Sequence, residues 1–163
     1  MDNHRSGLKL IVLALIIAGA GLAYRGCNKP ATQAPSNLAW FEDFEQAKAA
    51  AAASGKPMLL DFTGSDWCGW CIKLDNEVFS KPAFEAYAKE NLILVKLDFP
   101  RSKEPPAAIK AQNDSLARQY GIEGFPTILL IAPDGRVIAQ TGYKSGGAES
   151  YIEHLKKLLS RRT

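Results

Sequence analysis

Two cysteines three positions apart, in Trp67-Cys68-Gly69-Trp70-Cys71, are the residues of this chain best suited to chemistry. At the start of a helix such a pair lies close enough for a disulfide. The unpaired amides and dipole of the helix N-terminus stabilise a thiolate on the outer sulfur. That geometry makes Cys68 the nucleophile and Cys71, one turn further in and more buried, the resolving thiol. Gly69 is expected to let the turn form without side-chain crowding. Attack by the Cys68 thiolate on a partner disulfide gives a mixed disulfide, which Cys71 then resolves. The bland alternative is a permanent disulfide or an inert pair of thiols.

Other uses of cysteine do not fit. The chain has three cysteines, Cys27 being the third, and two histidines, His4 and His154, near opposite ends. A zinc ribbon needs a second C-x-x-C or a histidine pair, and a four-cysteine iron–sulfur site needs one more cysteine. Covalent haem attachment needs histidine after the second cysteine, where Ile72 stands. No metal and no cofactor is expected. Nor is nucleic acid: the net charge of +3 comes from Arg5, Lys9, Arg25 and Lys29 against Asp2, and the chain is neutral from Leu38 onward. At 163 residues, 47% of them hydrophobic, the chain fits one domain able to bury a core.

The elements that must hold the dithiol alternate strand and helix. Asp43 is placed to cap an alanine-rich helix ending at Gly55. Met58 to Phe62 reads as a buried central strand running into the C-x-x-C, and Cys68 to Phe79 as the helix after it. Pro82 to Glu90 is a further helical segment with proline at a tolerated first position. Leu92 to Asp98 is a second strand, Phe99 to Pro106 a loop, and Ala107 to Tyr120 a helix stopped at Gly121. Thr127 to Ala132 and Val137 to Thr141 form strands joined by Pro133-Asp134-Gly135, a hairpin turn signal. Ser150 to Ser160 closes the chain as an amphipathic helix with Tyr151, Ile152, Leu155, Leu158 and Leu159 inward. The result is an α/β fold, a mixed sheet covered by helices on both faces.

Ahead of this domain, residues 1–25 read as a signal peptide or membrane anchor. Arg5 and Lys9 precede an uncharged apolar run, Leu10 to Tyr24, which sends the downstream chain out of the cytoplasm. A helix of about 15 residues spans roughly 22 Å, short of a bilayer core of about 30 Å, which favours a signal-peptide core over a full span. Small residues at Ala18 and Ala20 or Gly21 and Ala23 offer cleavage sites. The competing reading is a membrane tether through residues 10–24, with Lys9 and Arg25 snorkelling. Residues 26–37, GCNKPATQAPSN, read as a flexible linker, with Cys27 a free thiol or a lipidation site. The domain proper is expected over 38–163, exported to the cell envelope.

The stretch LLDFTGSDWCGWC, with YGIEGFPT and PDGRV later in the chain, resembles the thioredoxin superfamily from about Trp40 to Leu159. The WCGWC form resembles bacterial envelope thioredoxin-like proteins. The resemblance implies a thioredoxin fold, with a central mixed sheet of about four to five strands flanked by helices, and a cis peptide bond at Phe125-Pro126 opposite the dithiol. The backbone around Phe125, Pro126 and Thr127 would then pair with an extended substrate. Asp61 matches the buried strand aspartate that accepts the inner cysteine's proton, and Lys96 a lysine often paired with it. One residue more than in plain thioredoxin separates Asp61 from Cys68, so Thr63 to Asp66 must bulge. Asp66 reads as a loop cap whose charge mildly opposes the Cys68 thiolate. Trp67, Gly69 and Trp70 would face the substrate, the two indoles as an apolar rim. Trp70 cannot stabilise the thiolate by charge as a histidine there would, which leans towards a reducing or weakly oxidising couple.

Three functional readings are open. One is an exported thiol–disulfide oxidoreductase, of the protein disulfide reductase or isomerase type, acting on protein disulfides and served by an unidentified redox partner. The second is a non-enzymatic binding module of the same fold, and the third a dedicated reductant for cytochrome c maturation. Asn113-Asp114-Ser115 is formally a glycosylation sequon, discounted because it lies mid-helix in a bacterial-looking chain.

Overall fold

The apolar character of Met58-Leu-Leu-Asp-Phe-Thr63 places it at the centre of the molecule. In the computed structural model, which describes residues 38–160, all six residues of this strand, β2 (Met58–Thr63), are buried. The leader, the linker with Cys27 and the last three residues lie outside the described part. β2 runs parallel to β3 (Ile93–Asp98) on one side and antiparallel to β4 (Thr127–Ile131) on the other. A two-residue strand, β1 (Trp40–Phe41), adds in parallel to β3, and β5 (Val137–Thr141) pairs antiparallel with β4. The sheet order is β1-β3-β2-β4-β5. Two residues of β1 are too few for a period-two pattern, so only four strands are legible in the sequence.

The side chains of β2 alternate between the two faces. Leu59 joins one core cluster with Leu74, Val78, Phe79, Phe84, Ile128, Leu130 and Tyr151. Leu60 and Phe62 join the other with Phe44, Ala47, Ala51, Val95, Leu97 and Leu116. The first face is covered by α2 (Gly69–Leu74), α3 (Pro82–Asn91) and α5 (Gly147–Leu159), and the second by α1 (Phe44–Ser54) and α4 (Ala107–Gln119). Asp61 lies two residues from Leu59 and shares its face. So does Lys96, which is opposite Asp61 in the parallel register.

The two ends of α1 follow from their residues. Asp43 accepts the Gln46 amide at 3.0 Å at the start of α1, and Gly55, at φ 68°, closes it with its N–H on Ala51 O at 2.8 Å. The segment after the dithiol is not one regular helix: α2 passes into a π-helical turn, Asp75–Phe79, which buries Val78 and Phe79. α5 begins at Gly147, three residues earlier than its amphipathic pattern predicts. The β4–β5 turn carries Gly135 at φ 88°, with a register shift at Leu130/Ile131.

Candidate active site

β2 ends at Thr63, and the chain turns sharply before α2. The Gly64 carbonyl accepts both the Trp67 and the Cys68 amides, at 3.3 and 2.9 Å. Ser65 donates its amide to Asp98 Oδ1 at 2.9 Å, tying the turn to the end of β3. A Cβ on Gly64 would lie 2.5–2.8 Å from atoms of the Trp67 indole, so this position needs glycine. Gly69 does not: a Cβ there meets nothing within 4 Å, which corrects the expectation that crowding demands glycine between the cysteines.

Cys68 caps α2 and is joined to Cys71 by a disulfide, with Cα atoms 5.2 Å apart. The Cys71 amide donates to Cys68 Sγ at 3.3 Å. Both residues are buried, Cys68 at 7% exposure and Cys71 at 4%, a narrower contrast than helix geometry predicts.

Asp61 is 4% exposed, and its Oδ1 has no hydrogen-bond partner among the described residues. Burial pushes its carboxyl up to about 7; Lys96 opposes the rise, and Asp75 and Asp98 add to it. Lys96 is half-buried, its ammonium 5.9 Å from the centre of the Trp40 ring. The Phe125–Pro126 bond is cis. The Thr127 hydroxyl donates to Gly124 O at 2.7 Å and the residue is buried, so its side chain is committed to its own turn.

The two indoles behave differently. Trp67 is 37% exposed and held on several sides. Its Nε1–H donates to Phe99 O at 2.8 Å, Arg101 lies 3.8 Å over the ring, and its edge meets Phe125 at 5.9 Å. Trp70 is 58% exposed and leans on Tyr143, ring centres 5.2 Å apart. Asp66 accepts the Ser102 amide at 2.6 Å and the Arg101 amide at 3.0 Å. Hydrogen bonds from Ser102 and the Arg101 amide hold its carboxyl down at about 2. Its charge is directed onto the 99–103 loop.

Residues 44–158 match the family model of the thioredoxin-like domain. The chain belongs to the thioredoxin-like family. The disulfide bond reductase DsbH of Chlamydia pneumoniae is 35% identical over 129 residues, which cover 79% of this chain and 77% of that protein. A solved structure of the DsbH oxidoreductase is similar with a TM-score of 0.73 and 34% identity, over 82% of this chain and 91% of that one. The thiol:disulfide interchange protein DsbD of Yersinia enterocolitica is 29% identical over 156 residues, 91% of this chain and 25% of that protein's length. With its C-x-x-C disulfide at the end of the central strand, this member of the family is a thiol–disulfide oxidoreductase of the Dsb type.

Sequence reasoning misses four residues around the site. Phe99 stacks on Phe125 at 5.0 Å, Arg101 covers Trp67, and the Tyr143 hydroxyl donates to Glu77 Oε2 at 2.6 Å beside Trp70. Phe99, Arg101 and Tyr143 carry no local signal because each meets Phe125, Trp67 or Trp70 from a loop distant in sequence. Glu77, close to Cys71 in the chain, is marked only by the distant Tyr143 hydroxyl it accepts.

Proposed function

We propose that this chain is an exported protein-disulfide reductase cycling through a mixed disulfide. The Cys68 thiolate attacks one sulfur of a substrate disulfide; a Cys68–substrate bond forms and the other substrate sulfur leaves as a thiolate. Cys71 then attacks Cys68 Sγ, restores the intramolecular disulfide and releases the second substrate thiolate. Two electrons pass from the dithiol to the substrate. The hydrogen bond from the Cys71 amide to Cys68 Sγ carries this reading, since the same donor favours a thiolate on that sulfur once the disulfide opens.

Asp61 is assigned as acceptor of the Cys71 proton. A carboxyl raised to about 7 is divided between its two forms near neutrality and serves in either direction. Lys96 moderates that value from the adjacent strand. The backbone around cis-Pro126 is assigned to hold an extended substrate, with Trp67 and Trp70 as its apolar border. Kinship with a disulfide bond reductase supports the reducing direction, and the apolar leader supports export to the cell envelope.

Insulin reduction by the full chain tests this. Cys68→Ser is expected to abolish turnover. Cys71→Ser should accumulate protein adducts sensitive to dithiothreitol, recovered from the envelope fraction. Turnover that survives Cys68→Ser overturns the assignment.

A further inference from the structure

The two flanks of the dithiol differ in what they leave open. On the Trp67 flank the indole, Phe99, Phe125 and Arg101 pack against one another, and the Asp66 carboxylate is taken up by loop amides. On the Trp70 flank an open depression of about 520 Å³ is bordered by Trp70, Lys73, Tyr143, Lys144 and Ser145. Trp70 stands between the two cysteines in the chain, so this depression borders the C-x-x-C segment.

Its walls are aromatic and its charge is positive. The Lys73 ammonium lies 5.2 Å from the ring centres of both Trp70 and Tyr143. One carboxylate answers the two lysines: Glu77, which accepts the Tyr143 hydroxyl at 2.6 Å and lies 3.9 Å from Lys73. Lys144 is exposed, with no carboxylate in ion-pair contact among the described residues. The group therefore keeps an excess of one positive charge, and its hydrogen-bonded tyrosine holds the platform in place.

We propose, on the basis of the reductase reading above, that this platform is a substrate subsite selecting protein disulfides with an aspartate or glutamate within two residues of the attacked cysteine. The rings of Trp70 and Tyr143 bear on the aliphatic part of that side chain, and Lys144, with Lys73 behind it, receives its carboxylate. The charges are solvent-exposed, so the preference is moderate: about threefold to tenfold in rate, screened by salt.

The test uses the pre-reduced full chain in single turnover with three peptides. These carry one disulfide each and are identical except for glutamate, glutamine or lysine beside the cysteines. Each event breaks the peptide disulfide, closes Cys68–Cys71 and leaves two peptide thiols. The ratio of the glutamate to the lysine peptide cancels any change in thiol reactivity. That ratio is expected at about fivefold in low salt, falling towards one in 0.5 M NaCl. Lys144→Glu should erase or invert it, and Lys73→Gln should reduce it. A wild-type ratio of one or less, or a ratio unmoved by Lys144→Glu while all peptides react, overturns the subsite and leaves the reductase standing. Failure to attack any of the peptides overturns both.

Discussion

Burial removes the Asp61 carboxyl from water, and the Lys96 charge does not fully offset that cost. The consequence is a pH dependence with a definite sign. Folding raises the carboxyl from its ordinary 3.8 to about 7, so between these values the folded state binds more protons than the unfolded one. The carboxyl's cost to stability is therefore absent at low pH, grows as pH rises from about 4 to about 7, and is fully present above. Urea titrations of the oxidised protein, in which neither cysteine titrates, should show it. Asp61→Asn is expected to flatten this dependence and to exceed wild type in stability at pH 8, by up to about 4 kcal/mol. A wild-type curve as flat as the variant's would contradict the environment described for Asp61.

The turn between β2 and α2 decides where the dithiol sits. Its carbonyl at Gly64 gathers two amides, its Ser65 amide reaches Asp98, and the Trp67 indole closes over Gly64. The two glycines nearby make opposite predictions. Gly64→Ala sets a methyl against the indole and should cost about 1–3 kcal/mol, with altered tryptophan fluorescence as Trp67 leaves Phe99. Gly69→Ala adds a methyl in open space on the first turn of a helix and should be neutral or stabilising by about 0.5–1 kcal/mol. Urea midpoints for the two variants check both, and equal losses would rule out the turn geometry. Beyond α2, the π-helical turn orients Val78 and Phe79 into the core and puts Glu77 within reach of Tyr143.

Across the molecule, one buried sheet carries two cores of comparable standing. Leu59 and Leu60 are neighbours in β2, both fully buried, yet they pack against different helices. Leu59→Ala and Leu60→Ala are each expected to lose about 2–5 kcal/mol in urea denaturation with little change in slope. A loss below about 0.5 kcal/mol for either would mean that one face lacks its helical cover. The same arrangement explains where chemistry is placed. The central strand ends in the C-x-x-C turn, and β4 begins just after cis-Pro126.

Much of this was legible in the residues themselves because the signals are short-range. A disulfide across Cys68-Gly69-Trp70-Cys71 closes within one helical turn, the Asp43 and Gly55 caps act on their own helix, and β2, β3 and β4 announce themselves as apolar runs between turn residues. Tertiary structure alone decided what depends on one element meeting another. The register of β2 against β3 put Asp61 beside Lys96 on the face toward α2, and the loop after β5 brought Tyr143 onto Trp70. Local patterns fix which groups are present and how the chain runs nearby. The surroundings that tune a carboxyl or shape a rim come from residues far apart in sequence, whose meeting only the packed sheet and helices determine.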